Sequence, residues 1–195
     1  MEGSTVSGSG GIGVSVSNGD LEMKGSEVEL NNGGGVMFSA GNGVFWNNII
    51  ANNVSGSGVF GGMRLDPLGG MIEFWNNTVA GNFVNGQPSA VVCIGTVALH
   101  NSVFSGTGEL LSSSCEPEYS YIGDGSGGGA KTGCIETGEA VEYVDPGSYD
   151  YHLQATSPCI DQGTSTGMPA GLTVDIDGEN RVQGGGVDMG ADEAQ

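Results

Sequence analysis

Asp175, Asp177 and Glu179 alternate along the run Asp175-Ile176-Asp177-Gly178-Glu179-Asn180. Carboxylates at alternate positions around a glycine turn let several oxygens face one hard cation, as calcium loops do. The run is shorter than an EF-hand loop and lacks its distal bidentate Glu. In the competing reading these acids, with Asp188, Asp192 and Glu193, cap turns and pair with Arg181, the one base nearby. Calcium is the only cofactor these residues suggest. Trp46 and Trp75 carry a second kind of chemistry, because two indoles side by side on a polar surface make a sugar-stacking platform. Against that, wet indoles are costly to leave exposed, and the chain beyond about residue 110 is free to fold over them. Acid–base chemistry has few players. The bases are Lys24, Arg64, Lys131 and Arg181, with His100 and His152. Arg64, Asp66 and His100 are the nearest approach to a catalytic set. Two histidines do not make a Ser-His-Asp triad arguable, and His152 reads better as structural. The glycine run 125–129 is not followed by Gly-Lys-Ser/Thr, so it is a loop and no phosphate cradle.

The elements that must hold these residues show themselves as repeats. Phe45-Trp46-Asn47-Asn48-Ile49-Ile50-Ala51-Asn52-Asn53 almost superimposes on Phe74-Trp75-Asn76-Asn77-Thr78-Val79-Ala80-Gly81-Asn82, 29 residues on. A looser copy starts at Leu99, 25 residues later, and a fainter one at Met23, 22 residues before the first. Repeats of this period are stacked units whose apolar faces are buried by their neighbours. Aligned, Met23, Phe45, Phe74 and Leu99 fall in one apolar column, and Val28, Ile50, Val79 and Phe104 in another. The column Lys24, Trp46, Trp75, His100 then points outward by strand alternation. Asn47, Asn76 and Asn101 recur at one turn and are expected to stack as a hydrogen-bonded ladder. Gly11-Ile12, Gly35-Val36 and Gly58-Val59 are expected to open successive strands, with Val91-Val92 continuing them. Glycine supplies 39 of 195 residues without a Gly-X-Y period, which means many turns and excludes collagen.

Charge narrows the partners. The net charge is −19, from 23 acids against four Lys and Arg. Such a surface repels nucleic acid and anionic membranes. No 18-residue apolar run exists, so no membrane span is expected. The four cysteines, Cys93, Cys115, Cys134 and Cys159, contain no CxxC pair, which argues against zinc and for disulfides in an exported protein. Three connectivities are possible. The expected one is Cys115–Cys134, both in one loop-rich stretch, with Cys93–Cys159 by elimination. The start of the chain is polar, so export implies a leader already removed.

The repeats resemble those of the right-handed parallel β-helix family, where Asn-Asn-Thr-Ile/Val-x-Gly-Asn is a common rung. Residues 150–161 and 175–193 resemble the C-terminal segment of secreted bacterial β-helix proteins described as choice-of-anchor Q. That group is defined by architecture and carries no single activity. Lyases on this fold use calcium with a basic residue, or a Lys/His/Tyr/Arg set, and glycosidases use paired Asp on successive rungs. Here the equivalent positions are Asn, Thr and Ser. The expected architecture is therefore all-β: a right-handed parallel β-helix (solenoid) of about four rungs over 1–110, with a loop-rich, disulfide-bearing C-terminal cap over 111–195. The expected role is a non-catalytic extracellular or cell-surface module for structure, adhesion or glycan contact at Trp46 and Trp75. A carbohydrate-active enzyme, lyase or hydrolase, or a fragment of one, is the alternative. An uncapped first rung exposes strand edges, so another copy of the chain joins glycan as an expected partner.

Overall fold

Short strands broken by glycine and asparagine corners cannot form a broad hydrogen-bonded sheet within one pass of chain, so each pass must pair with the next. The computed structural model describes residues 1–56, 58–85, 89–136 and 140–194. The first pass holds β1 (Thr5–Ser7), β2 (Val14–Ser17) and β3 (Leu21–Lys24), and the second β4 (Glu27–Glu29), β5 (Val36–Ser39) and β6 (Gly43–Trp46). The third holds β7 (Ile49–Ala51), β8 (Val54–Ser55), β9 (Met63–Asp66) and β10 (Ile72–Trp75). The fourth holds β11 (Thr78–Ala80), β12 (Phe83–Val84), β13 (Val91–Cys93) and β14 (Val97–His100). The fifth runs from β15 (Val103–Ser105) through a bridge between Leu111 and Val91 to β16 (Cys115–Glu118), and β17 (Tyr121–Ile122) starts a sixth.

Three parallel sheets result: β1-β4-β7-β11-β15-β17, β3-β6-β10-β14-β16 and β2-β5-β9-β13, with β8 and β12 pairing at a corner. This is a parallel β-helix. Its coil runs past residue 110, through β16 and β17. The loop after β17 closes over the last pass: Ser126 Oγ accepts from the Leu111 N–H at 2.8 Å, and Ile122 N–H donates to the Ile135 carbonyl. β1 and β2 pair on one side only among the described residues, while the Lys24 N–H of β3 donates to the Met1 carbonyl. No helix among the described residues is long and apolar enough to cross a membrane.

The inner columns follow the repeat alignment. Met23 pairs with Phe45 and Phe45 with Phe74; Val28 pairs with Ile50, Ile50 with Val79 and Val79 with Phe104. All of them, with Leu99, are fully buried. Phe74 sits between Phe45 and Phe104, each 6.2 Å away between ring centres.

Three expectations need correction. The glycine series holds at Gly35-Val36 and at Val91-Val92 but is out of register at Gly11-Ile12 and Gly58-Val59: Val14, Val36, Met63 and Val91 pair, so Gly13, Gly35, Gly62 and Ala90 precede the strands. The loops before these strands differ in length, and equal spacing therefore misplaces the strand start. Gly62 has no room for a side chain, because a Cβ there would lie 2.5 Å from the Ala90 carbonyl. Of the expected asparagine series, Asn101 Nδ2 donates to Asn76 Oδ1 at 3.4 Å, but the continuous ladder forms one residue later. Asn48 Nδ2 donates to Asn77 Oδ1 at 2.9 Å, with Ser26 before it and Ser102 and Ser120 after it. A second ladder joins Asn31, Asn53 and Asn82. Asn47, Asn76 and Asn101 instead adopt φ near +50°, a left-handed corner that Gly25 also takes in the faint copy. Finally, the disulfide is Cys93–Cys115, with Cα atoms 5.3 Å apart, and Cys134 and Cys159 are free. Twenty-two residues separate the bonded pair. Cys115 stacks on Val97 and Leu111 on Val91, so the disulfide runs from β13 of one pass to the start of β16 in the next, between two sheets. Cys159 belongs to a different cluster, with Val103, Tyr121 and Met189.

After the coil, β18 (Tyr143–Asp145) and β19 (Asp150–Leu153) form an antiparallel pair around a one-turn 3₁₀ segment, Pro146–Ser148. This hairpin and the residues after it pack along the side of the coil. Tyr151 and Ala191 cover Ile49, Ala51 and Ala80, while Leu153 and Met189 cover Val103 and Tyr121.

Candidate functional site

The outward column of the β3-β6-β10-β14-β16 sheet carries Lys24, Trp46, Trp75, His100 and Glu118 in register. Lys24 Nζ lies 4.2 Å from the centre of the Trp46 ring, and Trp75 and His100 stack with centres 4.2 Å apart. The C-terminal segment runs over this column, passing Trp75 at Gly167 and Trp46 at Gly171. Trp75 is left 8% exposed. Trp46 is half-buried, and its indole N–H has no partner. The two indoles therefore do not form one open platform. What remains open is a cleft of about 310 Å³ beside Trp46, floored by Lys24 and Asn47 and walled by Leu172, Val174 and Asp177.

The left-handed asparagines hold that segment down. Asn47 Nδ2 donates to the Val174 carbonyl at 2.5 Å, Asn76 Nδ2 to Asp188 at 3.0 Å and Asn101 Nδ2 to Thr164 at 2.8 Å. Arg181 is the centre of the attachment and is fully buried. Its guanidinium donates to Asn47 Oδ1 at 2.7 Å and to the carbonyls of Gly190, Ala191 and Asp192, and it lies 3.5 Å from Glu193. Burial pushes Glu193 up to about 7 even with the N–H groups of Asp188 and Gln183 and the Arg181 charge pulling it down. Burial also lowers Arg181, with Glu193 the strongest opposing influence.

Asp175, Asp177 and Glu179 do not converge as the calcium reading expects. Asp175 Oδ1 accepts from the N–H groups of Asp177 and Glu179, and its Oδ2 accepts from Glu193. It closes a turn with its own oxygens. Asp177 faces His152 instead, 3.0 Å from Nε2. Arg64 and Asp66 pair at 3.6 Å on β9. His100 is on β14, in a different sheet, 3.6 Å from Glu118. Burial holds His100 below the ordinary histidine value, with Glu118 opposing. Arg181 as an anchor and the neighbourhood of His152 were not singled out by spacing, because their partners lie more than a hundred residues away or on separate loops. Compared with family models and with the curated proteins, the chain matches none.

Proposed function

We propose that this chain is a non-catalytic extracellular or cell-surface β-helix module, with a C-terminal segment of the anchor-associated type, that contacts glycan at the cleft beside Trp46. The observation that carries the reading is closure. Residues 164–193 satisfy Asn47, Asn76 and Asn101 and cover Trp75, leaving one cleft that joins an aromatic face to Lys24 and a carboxylate. Its volume is at the lower end of what small-ligand sites use. The Cys93–Cys115 disulfide suits an oxidising compartment. The enzyme alternative needs Arg64, Asp66 and His100 at one point, and they lie on two different sheets, Arg64 and Asp66 on β9 and His100 on β14.

The test is tryptophan fluorescence titrated with a panel of soluble polysaccharides, with and without calcium, alongside a reducing-end assay. A saturable shift that Trp46→Ala abolishes, with no new reducing ends, is expected. Product release would overturn the non-catalytic assignment, and a flat titration with every polysaccharide would overturn glycan contact.

A further inference from the structure

β19 alternates, so Tyr151 and Leu153 enter the seam with the coil while Asp150 and His152 face the other way. Asp150 Oδ1 lies 2.6 Å from His152 Nδ1. A carboxylate on one ring nitrogen sets the tautomer and leaves Nε2 as the donor lone pair, which is how metal-binding histidines are oriented. Two more carboxylates stand near the ring, Asp177 Oδ2 at 3.0 Å from Nε2 and Asp192. Asp177 comes from the turn that Asp175 ties. Asp192 is buried and is held by the Leu153 N–H at 2.7 Å. One ligand atom from each of His152, Asp177 and Asp192 lies within 4.8 Å of the others. A cavity of about 220 Å³ opens beside His152 and Asp177, with Ser4, Thr5 and Glu27 on its far wall.

We propose that His152, Asp177 and Asp192 bind one divalent cation of the zinc class, with Asp150 orienting the imidazole and the cavity supplying the remaining coordination positions. A neutral imidazole and two carboxylates carry two negative charges, which balance a dication. One nitrogen with two oxygens suits Zn²⁺ or its transition-metal neighbours, whereas Ca²⁺ prefers six to eight oxygens. Three protein ligands leave room for water or an exogenous ligand. The three come from separate segments, so the ion would pin the hairpin to the two loops that follow it. Asp177 also walls the Trp46 cleft, but His152 and Asp192 do not line it, so loss of metal binding in His152→Gln and loss of a glycan response are read separately.

The experiment is calorimetry of the full chain, stripped with chelator and titrated with ZnCl₂ and CaCl₂. One equivalent of Zn²⁺ is expected, at least about tenfold tighter than Ca²⁺. His152→Gln and Asp177→Asn should each weaken Zn²⁺ by about tenfold or more, and Asp150→Asn by about tenfold. Both ligand side chains are partly exposed, so these variants keep the fold, which circular dichroism checks. Glu73→Gln removes one exposed charge elsewhere and should change nothing. MnCl₂ should broaden the ring resonances of His152 and spare those of His100. Absent heat, equal losses in Asp177→Asn and Glu73→Gln, Ca²⁺ binding as tightly as Zn²⁺, or broadening of both histidines would each overturn the site.

Discussion

His100 shows how one side chain reports its surroundings. It stacks on Trp75 at 4.2 Å and has Glu118 at 3.6 Å. Burial disfavours the imidazolium and outweighs that carboxylate, so its folded value lies below 6.5. A histidine depressed by folding contributes stability that is present above the unfolded value and lost as pH falls through the folded one. The ring resonances of His100 should therefore titrate with a midpoint below 6.5. A midpoint at or above that value would mean that the Trp75 stack opens in solution. The outward column Lys24, Trp46, Trp75, His100 was legible from strand alternation alone. Its cover was not, because Gly167 and Gly171 carry no side chain that would announce a contact with an indole.

An element here is a rung, and its energy lies in the columns that cross it. Phe74 is fully buried between two rings at 6.2 Å. Parallel stacking leaves its neighbours unable to collapse into a gap without shifting their own backbone pairing. Phe74→Ala should cost about 3–5 kcal/mol in urea unfolding. A loss under about 1 kcal/mol would show that the column is not the core. The apolar columns could be read from sequence because every rung repeats them. The disulfide could not be read the same way, because Cys115 stacks on Val97 and its bond to Cys93 runs between two sheets. Proximity within one loop-rich stretch proved a weak guide to it, since Cys134 is free. The Asn48 and Asn77 ladder was displaced by one residue for a related reason. Two adjacent asparagines offer both a left-handed corner and an inward amide, and backbone conformation decides which does which.

At the scale of the whole molecule, electrostatics opposes compaction. Twenty-three acids face four Lys and Arg. One of those four, Arg181, is spent inside the protein, and Lys24 and Lys131 pair with Glu22 and Glu136. The excess negative charge repels itself across the surface, and that repulsion is screened as the Debye length falls from about 30 Å at 0.01 M salt to about 8 Å at 0.15 M. The melting temperature should rise with NaCl over that range, measured by circular dichroism. A fall would mean that the exposed ion pairs stabilise more than the net charge destabilises.

The sequence by itself determined the coil. Its period, its two apolar columns and the outward Lys-Trp-Trp-His line are local and repeated, so each copy confirms the next. Tertiary structure alone decided where the C-terminal segment lies and what it occupies. Asn47 and Arg181 are 134 residues apart and meet at 2.7 Å. Asp175 is drawn off a calcium-like pattern because three backbone N–H groups, one of them Glu193, need its oxygens. His152, Asp177 and Asp192 belong to three segments with no shared spacing. Periodicity speaks for contacts that recur along the chain. A single long-range contact recurs nowhere, and it exists because buried polar groups must find partners wherever the chain brings them.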